Sequence, residues 1–161
     1  MHSGSSLSPA AWFTFVLLFM EHSKILYVTS PEEIDRAYPV MCELRPHLTS
    51  EQFRAQVQRQ QGHEFKLVCL EHASEVRAVA GFRITERLSW GKILHVDDLV
   101  TRSQDHGKGF GSRLFDWLVD HARGNGCAQF HLDSGVQRFN AHRFYLHKGM
   151  DITCHHFGLL L

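Results

Sequence analysis

Between Val96 and Leu118 the chain carries the feature that most restricts its fold. A strand closes on Asp97-Asp98-Leu99-Val100, a polar loop follows, and His106-Gly107-Lys108-Gly109-Phe110-Gly111 runs directly into Ser112-Arg113-Leu114-Phe115-Asp116-Trp117-Leu118. Glycines at alternate positions let the backbone turn tightly. They also leave N–H groups unblocked at the positive end of a helix dipole, a geometry that favours a bound anion such as phosphate. The spacing fits neither a mononucleotide P-loop, which needs Ser or Thr after the Gly-Lys pair, nor G-x-G-x-x-G.

The flanking segments alternate between strand and helix signals. Ile25-Leu26-Tyr27-Val28 is β-rich. Ser30-Pro31-Glu32-Glu33 supplies an N-cap, a first-turn proline and acids ahead of Ile34, Ala37, Val40, Met41 and Leu44 at helical spacing, with a stop before Pro46. Thr49 to Gln52 opens a second, mostly polar helix over Phe53–Gln61. Glu64–Leu70 and Val76–Thr85 read as paired strands around a turn at 72–75, and the apolar run Ala78–Phe82 suits a strand covered on both faces. Ile93–Val100 is the acidic strand, and a helix from Lys108 to about Arg123 carries Leu114, Phe115, Leu118, Val119 and Ala122 as its buried stripe. Ala128–Leu132, a helix over Phe139–His147 and a last strand over Ile152–Phe157 complete the order.

The glycine stretch resembles the acyl-CoA loop of the GCN5-related N-acetyltransferases (GNAT), written Arg/Gln-x-x-Gly-x-Gly/Ala after an acidic strand. Phe144-Tyr145-Leu146-His147-Lys148-Gly149-Met150 is similar to the later helix of that family, which ends in Tyr-x-x-x-Gly-Phe. The resemblance implies a single α/β domain over residues 21–161, with a mixed, mostly antiparallel sheet splayed at its centre and helices on its flanks. It also implies acetyl transfer from acetyl-CoA to an amine in a ternary complex. A non-catalytic acyl-CoA-binding module on the same fold is the alternative.

Family roles carry over as follows. Backbone amides around His106, Gly107, Lys108, Gly109, Phe110, Gly111 and Ser112 would cradle the pyrophosphate. His106 stands where the family has Arg or Gln, so Lys108 or Arg113 would supply part of the missing charge. The strand backbone at Leu99 and Val100 would hold the pantetheine arm. Asp97-Asp98 resembles the acidic strand of diamine-acetyltransferase-like members, in which the first acid takes the proton of the acceptor amine. A cationic acceptor is then expected. On a regular strand His95 and Asp97 share a face while Val96 and Asp98 take the other, and a bulge would exchange the two acids. Tyr145 would protonate the leaving thiolate, since a phenol of pKa near ~10 matches a thiolate in basicity. His95, Asp98 and His142 are candidates for acceptor contacts.

Composition sets the remaining bounds. Seventeen basic and seventeen acidic residues cancel, which gives no general polyanion-binding surface and no nucleic-acid partner. Four cysteines without a C-x-x-C pattern read as reduced thiols in a cytoplasmic protein. His155-His156 beside Cys154 makes a poor chelate, because neighbours on a strand point to opposite faces, so no metal is expected. Residues 1–20 read as an apolar extension outside the domain, whose run Ala11–Met20 is too short to span a bilayer. A homodimer is compatible with this reading.

Overall fold

The computed structural model describes residues 23–161. Its elements run β1 (Ser23–Tyr27), α1 (Pro31–Met41), α2 (Ser50–Gln61), β2 (Lys66–His72), β3 (Glu75–Arg87), β4 (Gly91–Thr101), α3 (Phe110–Gly124), β5 (Gln129–Leu132) and α4 (Phe139–His147). A 3-10 turn at Ser103–Asp105 precedes α3. Capping signals place the first two helices. In α1 the Ser30 hydroxyl accepts from the Glu33 amide while the Glu33 carboxylate accepts from the Ser30 N–H, and Thr49 and Gln52 repeat the box in α2.

The five strands lie in the order β1-β2-β3-β4-β5. The first three pairings are antiparallel and β4–β5 is parallel. This parallel pairing covers only Ile93–Val96 against Gln129–Leu132, whereas β4 continues to Thr101 against β3 alone. The sheet therefore opens between β4 and β5 just beyond Val96, as the splayed architecture requires.

Both faces of the central strands are buried. Ala78, Val79, Ala80 and Phe82 of β3 are fully covered. One face packs under α1 and α2 through Ile34, Met41, Phe53 and Val57, the other under α3 through Leu114 and Leu118. Each such aliphatic side chain contributes roughly 1.5–3 kcal/mol by burial. α4 buries no residue fully. It leans on α3 through Phe144 against Phe115, with ring centroids 5.5 Å apart, and through Lys148 to Asp116 at 2.7 Å.

Two expectations need correction. α1 ends at Met41 rather than continuing through Leu44. The strand expected over Ile152–Phe157 does not form: these residues carry no regular structure, and Ile152 and Phe157 are 74% and 90% exposed. β-propensity supplies only half of what a strand needs, the other half being a partner edge. The extension at 1–20 lies outside the described residues. Among the described residues no helix is long and apolar enough to cross a membrane.

Candidate active site

The two aspartates face the same way. The register of β3 and β4 pairs Gly81 with Asp98 and Phe82 with Val96, so Asp97 is the extra residue of a bulge. Before the bulge Leu94 and Val96 pack on the α3 side, and after it Val100 packs on the α1–α2 side. Strand parity is thus exchanged within one residue. Asp97 and Asp98 both line a cavity of about 360 Å³ between β3–β4 and the α1–α2 layer. The expectation that Asp98 turns to the opposite face is overturned. Opposite Asp98, Gly81 makes room for the Phe65 ring, which a Cβ would approach to 2.6 Å.

Each carboxylate has an arginine that sequence reasoning missed. The Arg83 Nε donates to Asp97 Oδ2 at 2.8 Å, Nη1 to the His63 carbonyl at 3.0 Å and Nη2 to Gln60 Oε1 at 2.7 Å. The Arg45 Nε donates to Asp98 Oδ1 at 2.7 Å. An arginine directly after the apolar run of β3 was an available signal for Arg83. Nothing local marks Arg45, which lies 53 positions from its partner.

Burial pushes the Asp97 carboxyl pKa up. Hydrogen bonds from His95 and Arg83, with their charges, outweigh it and hold the group below its ordinary value. An ionised carboxylate only accepts, so the His95 Nδ1, 3.2 Å from Asp97 Oδ1, is the nitrogen that donates. In the neutral imidazole Nε2 then carries the lone pair. It sits 3.6 Å from Oδ2 of Asp133, directly after β5. In the protonated imidazole both ring nitrogens carry hydrogen, and His95 then bridges Asp97 on β4 and Asp133 beyond β5 where the strands part.

The glycine loop meets the end of β4. Gly107 and Gly109 have φ of +78° and +88°, and open space lies where their Cβ atoms would be. Gly109 is the N-cap of α3 and offers no side-chain cap. The first bond of the helix ladder is Arg113 N–H to the Gly109 carbonyl, so the amides of Phe110, Gly111 and Ser112 precede it. At Gly111 a Cβ would stand 2.5 Å from Thr101 Oγ1, so the glycine lets α3 approach β4. Leu99 and Val100 point into opposite core layers, while among the described residues no strand pairs with their backbone on the side away from β3.

The cationic side chains near this loop contact the protein itself. Lys108 Nζ lies 2.9 Å from Asp105 Oδ1, and Arg113 Nη2 donates to the Ser23 carbonyl at 2.9 Å. His106 Nε2 donates to the Thr101 carbonyl at 2.9 Å. Lys108 is thus engaged by Asp105, whereas Arg113 keeps its Nη1 buried with no hydrogen-bond partner among the described residues.

Asp105, 2% exposed, organises the loop by receiving Lys108, Arg102 Nε at 2.6 Å and Arg77 Nη1 at 3.3 Å. Burial raises its pKa, and the hydrogen bonds and charges of Lys108 and Arg102 outweigh this to lower it. Asp105→Asn is expected to cost about 2 kcal/mol of stability, as losing charge-assisted bonds at a buried site does. Because the folded pKa is depressed, this stabilisation is complete above the unfolded carboxylate value of about 3.9 and fades as pH falls through the lower folded value. Urea unfolding of both proteins at pH 7 and at acid pH checks this; a constant difference would contradict it.

Tyr145 packs against Phe115 and Phe144 with centroids 6.4 and 5.5 Å away. Burial raises its pKa, against the charge of Arg138, so the phenol stays protonated at neutral pH. Its contacts lie on the α3 side and those of Asp97 on the α1–α2 side, and no hydrogen bond joins the two among the described residues. His142 is not among the residues lining the cavity. His155 and His156 are exposed, with His156 Nδ1 3.7 Å from Asp133. Among the described residues no group of three or more His, Cys, Asp or Glu could hold a metal ion.

The chain is similar to known proteins. The chain is 37% identical over 130 residues to the uncharacterized N-acetyltransferase YhdJ of Bacillus subtilis, covering 80% of this chain and 90% of that one. It is 38% identical over 88 residues to glucosamine 6-phosphate N-acetyltransferase 1 of Oryza sativa subsp. japonica, about half of each chain (51% and 53%). The crystal structure of glucosamine-6-phosphate N-acetyltransferase from Arabidopsis thaliana superposes with a TM-score of 0.68 at 22% identity, over 86% of this chain and 97% of that one. A family model described as the acetyltransferase (GNAT) family matches residues 31–150, the stretch from the start of α1 to the end of the tyrosine motif, and the chain belongs to that family.

Proposed function

We propose that this protein transfers an acetyl group from acetyl-CoA to a primary amine of a small molecule or peptide. The observation that carries the reading is a juxtaposition: the uncapped start of α3 meets the end of β4 where its pairing with β5 has ceased, and the Asp97–His95 pair stands at that point. The relative from rice, named as an N-acetyltransferase of an amino sugar phosphate, is in keeping with an amine acceptor.

Each residue has a role derived from its surroundings. The amides of Phe110, Gly111 and Ser112 bind the pyrophosphate through the helix dipole. The free backbone edge at Leu99 and Val100 binds the pantetheine and polarises the thioester carbonyl. A carboxylate held ionised by Arg83 is a poor proton acceptor, so Asp97 fixes the His95 tautomer and attracts the acceptor ammonium, while His95 Nε2 takes the proton. The amine nitrogen bonds to the carbonyl carbon as the C–S bond breaks, the Tyr145 hydroxyl gives its proton to sulfur, and the second proton that the nitrogen sheds on becoming an amide restores the phenol through solvent.

Free thiol release from acetyl-CoA across a panel of amines tests the reading. Tyr145→Phe should lower turnover at least ~10-fold while acetyl-CoA binding by calorimetry stays unchanged. Acetyl-CoA binding without thiol release for any amine would favour a binding module instead.

A further inference from the structure

We infer that the acceptor is a small amine carrying its own anionic group, a phosphate, phosphonate or carboxylate, which Arg45 receives. The inference rests on the acetyl-transfer reading and names its substrate class. Two carboxylates alone would suit a diamine. The cavity, however, sets one arginine against each: Arg83 against Asp97 and Arg45 against Asp98. Its formal charge therefore cancels, and the second ammonium of a diamine would enter beside a guanidinium. Like charges brought together cost affinity.

The two arginines are not equivalent. All three nitrogens of Arg83 donate to protein acceptors, which makes it part of the scaffold. Arg45 uses Nε and Nη2 on Asp98 and on the Asp97 carbonyl, at 2.7 and 3.4 Å. Its Nη1 has no hydrogen-bond partner among the described residues, and its side chain is 42% exposed while lining the cavity. His47 and Gln56 line the same cavity and supply further polar groups, while Phe53 and Phe65 offer apolar walls to a carbon skeleton. A volume of about 360 Å³ suits a small molecule. An ammonium drawn to Asp97 and an anion drawn to Arg45 would together match the alternation of charge that the cavity presents.

Matched amines decide the matter: 2-aminoethylphosphonate, β-alanine, ethanolamine and ethylenediamine, glucosamine 6-phosphate beside glucosamine, and spermidine. The anionic amines should exceed their neutral and cationic counterparts in kcat/KM by at least ~10-fold, the effect of one charge-assisted hydrogen bond. Arg45→Gln should abolish that ratio mainly through KM, and Arg45→Lys, which keeps the charge next to Asp98, should retain part of it. The phosphonate and carboxylate arms separate a tetrahedral from a planar anion. Faster transfer to spermidine or ethylenediamine would overturn the inference and leave acetyl transfer standing, as would an unchanged ratio in Arg45→Gln. If acetyl-CoA binds and no amine is acetylated, the transferase reading falls and this one falls with it.

Discussion

Asp97→Asn should lower acetyl transfer by about 10²-fold or more at pH 7, the range in which positioned acid–base groups act. The amide keeps the shape of the carboxylate but not its charge. Arg83 then faces a neutral group, and the single amide oxygen can accept from Arg83 Nε or from His95 Nδ1 but not from both, which weakens the hold on the His95 tautomer. The deficit should narrow toward pH 9, where more of the amine arrives without its proton. His95→Gln should match Asp97→Asn within a few-fold, and the double variant should be little worse than either, because residues acting as a unit are not additive. Asp98→Asn is no silent control here, since both acids face one cavity. It should raise the KM of the amine more than it lowers kcat. Steady-state thiol release for the four variants across pH 7–9 reads all of this. A His95→Gln enzyme of near-normal rate would move the proton acceptor from imidazole to water.

The second large effect lies in the cradle. Gly109→Asp is expected to weaken acetyl-CoA at least ~10-fold, or about 1.4 kcal/mol. Two causes add. A non-glycine residue at φ of +88° is strained, and its carboxylate would stand at the start of α3 where the proposed diphosphate binds, repelling it. Gly111→Ala is the informative companion. Its φ is ordinary, yet its Cβ would meet Thr101 Oγ1 at 2.5 Å, so its cost should appear in thermal stability as well as in affinity. Calorimetric titration of acetyl-CoA, with circular dichroism to confirm the fold, separates the two. Unchanged affinity in a folded Gly109→Asp protein would reduce the loop to a turn.

What the sequence alone determined is what local rules govern. The caps at Ser30 and Thr49, the apolar stripe of α3 and the alternate glycines before it each act within a few residues, so their elements stand where they were expected. The glycine and tyrosine motifs carried the family for the same reason. Tertiary structure decided the chemistry of the acidic strand. The bulge at Asp97 comes from how β4 pairs with β3 where Phe65 closes over Gly81, and strand parity read along one chain cannot register it. Arg83 and Arg45 reach their carboxylates across 14 and 53 positions, so the charge balance that replaces an acidic mouth had no local signature. The segment after Gly149 shows the same division in reverse. Ile152–Phe157 has the composition of a strand but no partner edge, and a strand is made by its neighbour as much as by its residues.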